Sequence, residues 1–240
     1  LATIYRSLTE IASCELNGYS SSASPSYRPS TVLTTTDPND EHFPKQWEHM
    51  SPYASIGTQG GGGAWSFTTG SSNVVLAILD SGIDTTHIEF EGRLLSGYNL
   101  LNGTNNVFDD VGHGTHVAGL AVARGDNDSG IAGMCWECRI LPVKVGEPVT
   151  GILGKVNTPD LVLANGIVWA ADHGATVINY SGGKLTSVPI VEAALNYAWH
   201  RGVIPFAAAG NDHIQWIEHP ARSEWCVAVG AMANVEPFGE

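Results

Sequence analysis

From Asn73 onward, short apolar runs alternate with longer segments in which apolar residues recur at helical spacing. The apolar runs predict five strands, at residues 74–79, 140–145, 176–179, 203–208 and 226–230. The longer segments predict three helices, which begin near His113, at Thr158 and at Ser187 and stop at Gly125, Gly174 and Gly202. Short apolar strands that alternate with helices indicate an α/β domain whose parallel sheet is covered on both faces.

Residues 1–36 lack this alternation and are rich in Ser, Thr and Tyr. We interpret them as an irregular arm or the end of a pro-segment, followed by a folded domain over residues 37–240. Gly60–Gly63 indicates a flexible loop, since the lysine and the strand–loop–helix setting of a phosphate-binding loop are missing. The chain begins at Leu1, so we expect a processed product or a fragment.

Composition narrows the classes of partner. A chain of 240 residues that is 43% apolar can bury one sizeable core. Its 24 acidic and 11 basic residues give a formal charge of −13, which argues against nucleic acid because phosphate binding needs clustered Lys and Arg. The apolar runs are far shorter than the roughly 20 residues that a membrane-spanning helix needs, so we expect no membrane span.

The cysteines leave two alternatives open. Cys135 and Cys138 form a lone CxxC motif without a second pair, which disfavours a zinc site with four ligands. The motif predicts either a local disulfide or two reduced thiols.

Two polar positions suggest hydrolytic chemistry. Asp80 follows the strand at 74–79, and His113 opens the first helix. A carboxylate at a strand end beside a histidine at a helix end is how hydrolases assemble an orienting acid and a general base. Asn211 follows the strand at 203–208 and is expected at the same edge of the sheet, where such folds bind ligands.

Five motifs, in the same order, resemble the subtilisin-like serine proteases, or subtilases. They are Asp80-Ser81-Gly82-Ile83-Asp84 after its strand, Gly112–Gly119, Val177–Gly183, Ala208–Asn211, and His219-Pro220-Ala221 leading to Val227–Ala231. The resemblance covers about residues 37–235 and implies the N-terminal portion of the catalytic domain. It implies a three-layer α/β fold, with a mostly parallel sheet flanked by helices and incomplete at the C-terminus.

The resemblance also implies roles for individual residues. Asp80 would orient His113, His113 would be the general base, and Asn211 would donate a hydrogen bond to the oxyanion. The backbone of an extended polypeptide substrate would bind at Ser181, Gly182, Gly183 and Gly210. The residue that commonly separates the serine from the glycines is missing, so the primary specificity pocket stays undefined.

His113 is preferred over His116 as the base because glycines leave room around it, while His116 is expected to pack inside. The alternative is that both histidines bind a metal, although metal-binding helices commonly use i, i+4 spacing. Asp109 and Asp110 predict a solvated acidic loop; the alternative is a negative rim that favours basic peptide side chains.

A structural calcium ion is a further implication of the resemblance. Carboxylates and loop carbonyls would supply its six to eight oxygen ligands. The candidates are Asp40, Glu89, Gly125, Asn127, Ser129 and Ile131. Glu89 stands where the family commonly has Asp, and a simple turn rich in Asp, Asn and Gly is the alternative.

The nucleophile is missing from the pattern. In the family it lies in a Gly-Thr-Ser-Met-Ala run that opens a helix, and the 240 residues contain no such run. Ser223 precedes a strand and Ser181 falls in the substrate-binding segment, so neither matches.

Two main hypotheses follow. Either the chain is the front portion of a serine endopeptidase that acts through an acyl-enzyme, and is inactive alone, or it is a catalytically inactive truncated domain that binds extended peptides. A metal-dependent hydrolase that uses His113 and His116 is a third reading. The resemblance implies a secreted protein whose partners are polypeptide substrates and a pro-segment or proteinaceous inhibitor.

Overall fold

The computed structural model describes residues 37–46, 49, 63–152, 155–212 and 215–231. The predicted arm at residues 1–36 and most of the Gly60–Gly63 loop lie outside the described residues. None of the described helices is long and apolar enough to span a bilayer.

In the described part of the chain, six strands form one sheet in the order β2-β3-β1-β6-β7-β8, and every neighbouring pair is parallel. A separate antiparallel hairpin joins β4 and β5. The strands are β1 (Val75–Asp80), β2 (Tyr98–Asn99), β3 (Arg139–Lys144), β4 (Glu147–Pro148), β5 (Val156–Asn157), β6 (Val177–Tyr180), β7 (Ile204–Ala208) and β8 (Val227–Val229).

Among the described residues, three α-helices cover the sheet: α1 (His113–Val122), α2 (Asp160–Asp172) and α3 (Pro189–His200). Successive residues of β1 enter different cores because neighbouring side chains in a strand point to opposite faces of the sheet. Ala77 and Leu79 pack in the core that contains α2 and α3, whereas Ile78 packs with Ala118 and Val122 of α1. The predicted layered α/β fold with a parallel sheet is confirmed.

All five predicted strands are present, with ends that agree within one residue. The first helix, however, ends at Val122 rather than at Gly125. Its last carbonyls accept hydrogen bonds from the backbone N–H groups of residues 133–135, which takes the place of another helical turn. The second helix begins at Asp160 with Pro159 as its N-cap, one residue later than the start predicted from Thr158 as N-cap and Pro159 in the first turn. Strands β2, β4 and β5 were not predicted, since two residues show no periodicity.

Of the two alternatives for the CxxC motif, the structure has the disulfide: Cys135 and Cys138 are bonded, with Cα atoms 5.5 Å apart. Cys226 is a free thiol, and burial raises its pKa to about 12. A thiol with so high a pKa is not an activated nucleophile.

Candidate active site

A hydrogen bond joins Asp80 and His113 at the carboxyl edge of the sheet. Asp80 is the last residue of β1 and is buried, and His113 is the first residue of α1 and is half-buried. Oδ1 of Asp80 lies 2.7 Å from Nδ1 of His113. This hydrogen bond raises the pKa of His113 above its ordinary value of 6.5, although burial of the ring opposes the shift. With Nδ1 bound to a carboxylate, Nε2 can exchange a proton with a reacting group.

Gly114 allows α1 to approach β1 closely enough for this contact. A methyl group on Gly114 would overlap the carbonyl oxygen of Gly82 and would lie 3.0 Å from Cβ of Asp80. The glycine after the histidine is therefore a packing requirement of the Asp80–His113 pair.

Asp109 is buried, so the prediction of a solvated acidic loop is wrong for this residue. Its Oδ1 accepts hydrogen bonds from Ser81 Oγ and the Gly112 N–H, both at 2.8 Å. Its Oδ2 accepts from the N–H and the hydroxyl of Thr115, at 2.8 and 2.6 Å. Burial alone would raise the pKa of Asp109, but these hydrogen bonds outweigh it and hold the pKa below 3.8. The carboxylate thus fixes the first turn of α1, and with it His113.

Asp110 forms an ion pair with a buried lysine that the sequence did not single out. Nζ of Lys144 lies 2.6 Å from Oδ1 of Asp110, and it also donates to the carbonyl oxygens of Ser81 and Phe108. Lys144 is the only charged residue in the apolar run at 140–145, which is a signal that the sequence did contain. The charge of Asp110 is therefore balanced within the protein.

His116 is exposed, which contradicts the expectation that it packs inside. Ala118 and Val122 define the buried side of α1. At about 100° per residue, His116 lies roughly on the opposite side of the helix from them. His116 lines a pocket with His87 and Glu89, whereas His113 lines a different cleft, so the two histidines do not share an environment.

A cleft of about 470 Å³ brings the predicted residues together. Its walls include Asp80, His113, Asn211 and the candidate substrate-binding residues Ser181, Gly182, Gly183 and Gly210. Asn211 is exposed and lies on the loop after β7, three residues beyond the strand rather than directly after it. Glu218, which the sequence did not single out, lines the same cleft.

The segment from Ser181 to Gly183 follows β6 along the wall of this cleft. Within the described part of the chain, its backbone groups form no backbone hydrogen bonds. Asn179 Nδ2 donates to the hydroxyl of Ser181 at 3.0 Å, and Lys184 pairs antiparallel with His219 beyond the segment. Unpaired extended backbone in a cleft is suited to pairing with another extended chain.

Ser223 lies outside the cleft, as its sequence context led us to expect. Its hydroxyl donates to Oε2 of Glu192 at 2.6 Å, and Oε1 of Glu192 contacts Nε2 of the buried His219 at 3.0 Å. Burial lowers the pKa of His219. These three side chains connect α3 to the cis-proline loop at His219–Pro220.

Two candidate calcium ligands are buried carboxylates with an unused oxygen. Asp40 Oδ2 accepts from the Asp126 N–H, and Glu89 Oε2 accepts from Asn127 Nδ2. Oδ1 of Asp40 and Oε1 of Glu89 are buried and have no hydrogen-bond partner among the described residues. Burial raises the pKa of both carboxyl groups. Two buried oxygens without donors fit a hard cation.

The other candidate ligands belong to the loop that contacts these carboxylates. Ser129 N–H donates to Oδ1 of Asn127, and Gly125 lies directly against the indole ring of Trp136. Ile131 is half-buried in the same loop. Among the described residues, Asp40 and Glu89 are the two buried carboxylates at this loop, so the remaining ligands would be amide and carbonyl oxygens.

Several known proteins resemble this chain in sequence. The family model for the subtilase family matches residues 71–238. A thermophilic serine proteinase of Bacillus sp. strain AK1 is 40% identical over 170 residues, which cover 70% of this chain and 41% of the proteinase. Thermitase from Thermoactinomyces vulgaris is 32% identical over 194 residues, which cover 81% of this chain and 65% of thermitase. The chain thus spans less than two thirds of either relative.

Solved structures show the same similarity. A protease from Pseudoalteromonas arctica superposes with a TM-score of 0.68 at 28% identity, over 80% of this chain and 65% of that one. Sphericase superposes with a TM-score of 0.63 at 31% identity, over 71% of this chain and 57% of its own. Sequence family, fold and the Asp80–His113 geometry agree, and the chain belongs to the subtilase family.

Proposed function

We propose that this chain supplies the acid, the base and the oxyanion donor of a serine endopeptidase whose nucleophilic serine lies beyond residue 240. The observation that carries the proposal is the 2.7 Å hydrogen bond between Asp80 and His113, in a cleft that Asn211 and Ser181–Gly183 also line. Membership of the subtilase family supports peptidase chemistry.

In the proposed reaction, Nε2 of His113 takes the hydroxyl proton as the serine oxygen attacks the scissile carbonyl carbon. Asp80 stabilises the imidazolium that forms, and the side-chain amide of Asn211 donates to the oxyanion. His113 then gives its proton to the leaving amine, and an acyl-enzyme remains. Water hydrolyses this ester by the same steps, which regenerates the serine.

The proposed substrate is an extended polypeptide that pairs with residues 181–183. Their backbone groups form no backbone hydrogen bond with the described residues, which supports this proposal. A pro-segment or a proteinaceous inhibitor would occupy the same segment, because each presents an extended chain. We also propose secretion, which the Cys135–Cys138 disulfide supports since such bonds persist in oxidising compartments.

The second candidate function is peptide binding without catalysis. The backbone groups of residues 181–183, which make no backbone hydrogen bond among the described residues and can pair with an extended peptide without a nucleophile, favour it. Both functions use the same cleft, and they differ only in whether a bond is cleaved.

Calcium would be held by Asp40 and Glu89 with oxygens of the loop at Gly125, Asn127, Ser129 and Ile131. The unpartnered oxygens of the two carboxylates support this assignment. The ion would stabilise this loop against unfolding and take no part in the chemistry.

The test compares the natural full-length product with residues 1–240 on casein. We expect the full-length product to cleave casein, and His113→Ala to abolish cleavage, since the triad acts as a unit. Residues 1–240 alone should show no meaningful activity. Cleavage by residues 1–240 that His113→Ala abolishes would contradict the assignment of the nucleophile, and binding without cleavage by the full-length product would favour the second candidate.

A further inference from the structure

Glu218 places a carboxylate in the wall of the cleft. The residue is only 7% exposed, yet its carboxylate forms no hydrogen bond or ion pair with another described side chain. Because Glu218 borders the cleft and no described side chain pairs with its carboxylate, the carboxylate is available to a ligand of opposite charge.

Two glycines hold Glu218 against the candidate substrate-binding segment. A methyl group on Gly183 would lie 2.5 Å from Oε2 of Glu218, and one on Gly210 would overlap Oε1. The carboxylate therefore lies between the end of the 181–183 segment and the residue that precedes Asn211. A larger side chain at either glycine would take the space that the carboxylate occupies.

The backbone around Glu218 is fixed on both sides. Its N–H donates to the carbonyl oxygen of Ala209 at 2.9 Å, and the N–H of His219 donates to that of Lys184 at 2.8 Å. The buried His219 side chain contacts Glu192 of α3. Because three neighbouring elements anchor this loop, the carboxylate has a defined position before any ligand binds.

The charge of the cleft favours a cation. Four carboxylates line it, those of Asp80, Asp160, Asp212 and Glu218, against the two lysines Lys155 and Lys184. Lys184 is already paired with Asp160, and Asp80 with His113. Leu163 and Ala208 provide apolar wall for the hydrocarbon stem of a long basic side chain.

We propose that Glu218 selects substrates with Lys or Arg at the residue whose carbonyl is attacked. This proposal rests on the proposed function, because it is Asn211 that places the scissile carbonyl beside Gly210. The side chain of the substrate residue whose carbonyl is attacked would then point to the wall formed by Gly183, Gly210 and Glu218. Glu218, rather than Asp109 or Asp110, would then be the acidic residue that favours basic peptide side chains.

The test measures kcat/KM of the natural full-length product on peptides that differ only at this residue: Lys, norleucine or Glu. We expect Lys to be preferred over norleucine by about 10- to 100-fold, the range of a hydrogen-bonded charge pair. Glu218→Gln should bring the ratio close to one. The matched control Glu137→Gln removes an exposed charge elsewhere and should leave the ratio unchanged. No preference for Lys, or a preference that survives Glu218→Gln, overturns the proposal.

Two further measurements separate this proposal from the proposed function. If the full-length product cleaves no peptide, catalysis is refuted, and fluorescence polarisation of the same labelled peptides on residues 1–240 decides the role of Glu218. Tighter binding of the Lys peptide, lost in Glu218→Gln, supports it, and equal binding of Lys and norleucine peptides overturns it. If Glu218→Gln fails to fold, the wild-type preference must weaken with added salt, and a salt-independent preference counts against a charge pair.

Discussion

Asp109→Asn tests how firmly the protein holds the first turn of α1. The substitution keeps the size of the side chain but leaves a single acceptor oxygen. If this oxygen keeps the hydrogen bonds of Ser81 and Gly112, the new amide group faces the N–H and hydroxyl of Thr115. Two hydrogen bonds to a charged oxygen are then lost.

The expected loss follows from these contacts. A hydrogen bond to a charged group contributes about 1.5–3 kcal/mol, and Thr115 is only half-buried. We therefore expect Asp109→Asn to lower the free energy of unfolding by about 2–4 kcal/mol. Urea unfolding at neutral pH measures this value, with Glu137→Gln as a control that should stay within about 0.5 kcal/mol of wild type.

The pH dependence has a defined sign. The pKa of Asp109 is lowered in the folded state, so its stabilisation is present above 3.8 and is lost as pH falls through the folded-state pKa. The difference between wild type and Asp109→Asn should therefore shrink in acid. A difference below about 0.5 kcal/mol at neutral pH, or one that grows in acid, would refute the role assigned to the carboxylate.

The remaining predictions use three other features of the structure. The pKa of His113, followed by NMR titration, should fall in Asp80→Asn because the hydrogen bond that raises it is lost; an unchanged pKa would argue against the pairing. In the active product, the rise of kcat/KM with pH should move to lower pH in the same variant, since the base must be neutral. Gly114→Ala should lower the free energy of unfolding by about 1–3 kcal/mol. Gly119→Ala should be neutral or stabilising, because its new methyl group would lie 3.6 Å from the nearest atom. Equal effects of the two variants in urea unfolding would contradict the close packing at Gly114. Calcium at 100 times its Kd should raise the free energy of unfolding by about 2.7 kcal/mol, and an unfolding midpoint that a chelator does not change would exclude the site.

The strands were predictable because a parallel strand that is buried on both faces appears as a continuous apolar run. Ile78 and Leu79 enter different cores, and both must be apolar. The two-residue strands β2, β4 and β5 carry no such pattern and form from contacts that are distant in sequence. The end of α1 depends likewise on residues 133–135, which local sequence around Gly125 does not reveal.

The candidate site was predictable only in part. Asp80, His113 and the segment at 181–183 carry short motifs, and the structure brings them into one cleft. Asp109 and Lys144 are buried because both contact Ser81, which is distant from them in the sequence. Nothing in the local sequence shows these contacts, so the acidic pair at 109–110 was predicted to be solvated. Glu218 was not predicted as a site residue because its place in the cleft depends on contacts with Gly183 and Gly210, which lie 35 and 8 residues away in the chain.

The central claim is that Asp80 and His113 activate a serine that follows residue 240. The most direct measurement treats the natural full-length product with a serine-reactive phosphonate and locates the labelled residue by mass spectrometry. We predict one labelled serine C-terminal to Glu240 and no labelling in His113→Ala. A label on Ser181 or Ser223, or labelling that His113→Ala leaves unchanged, would contradict the account.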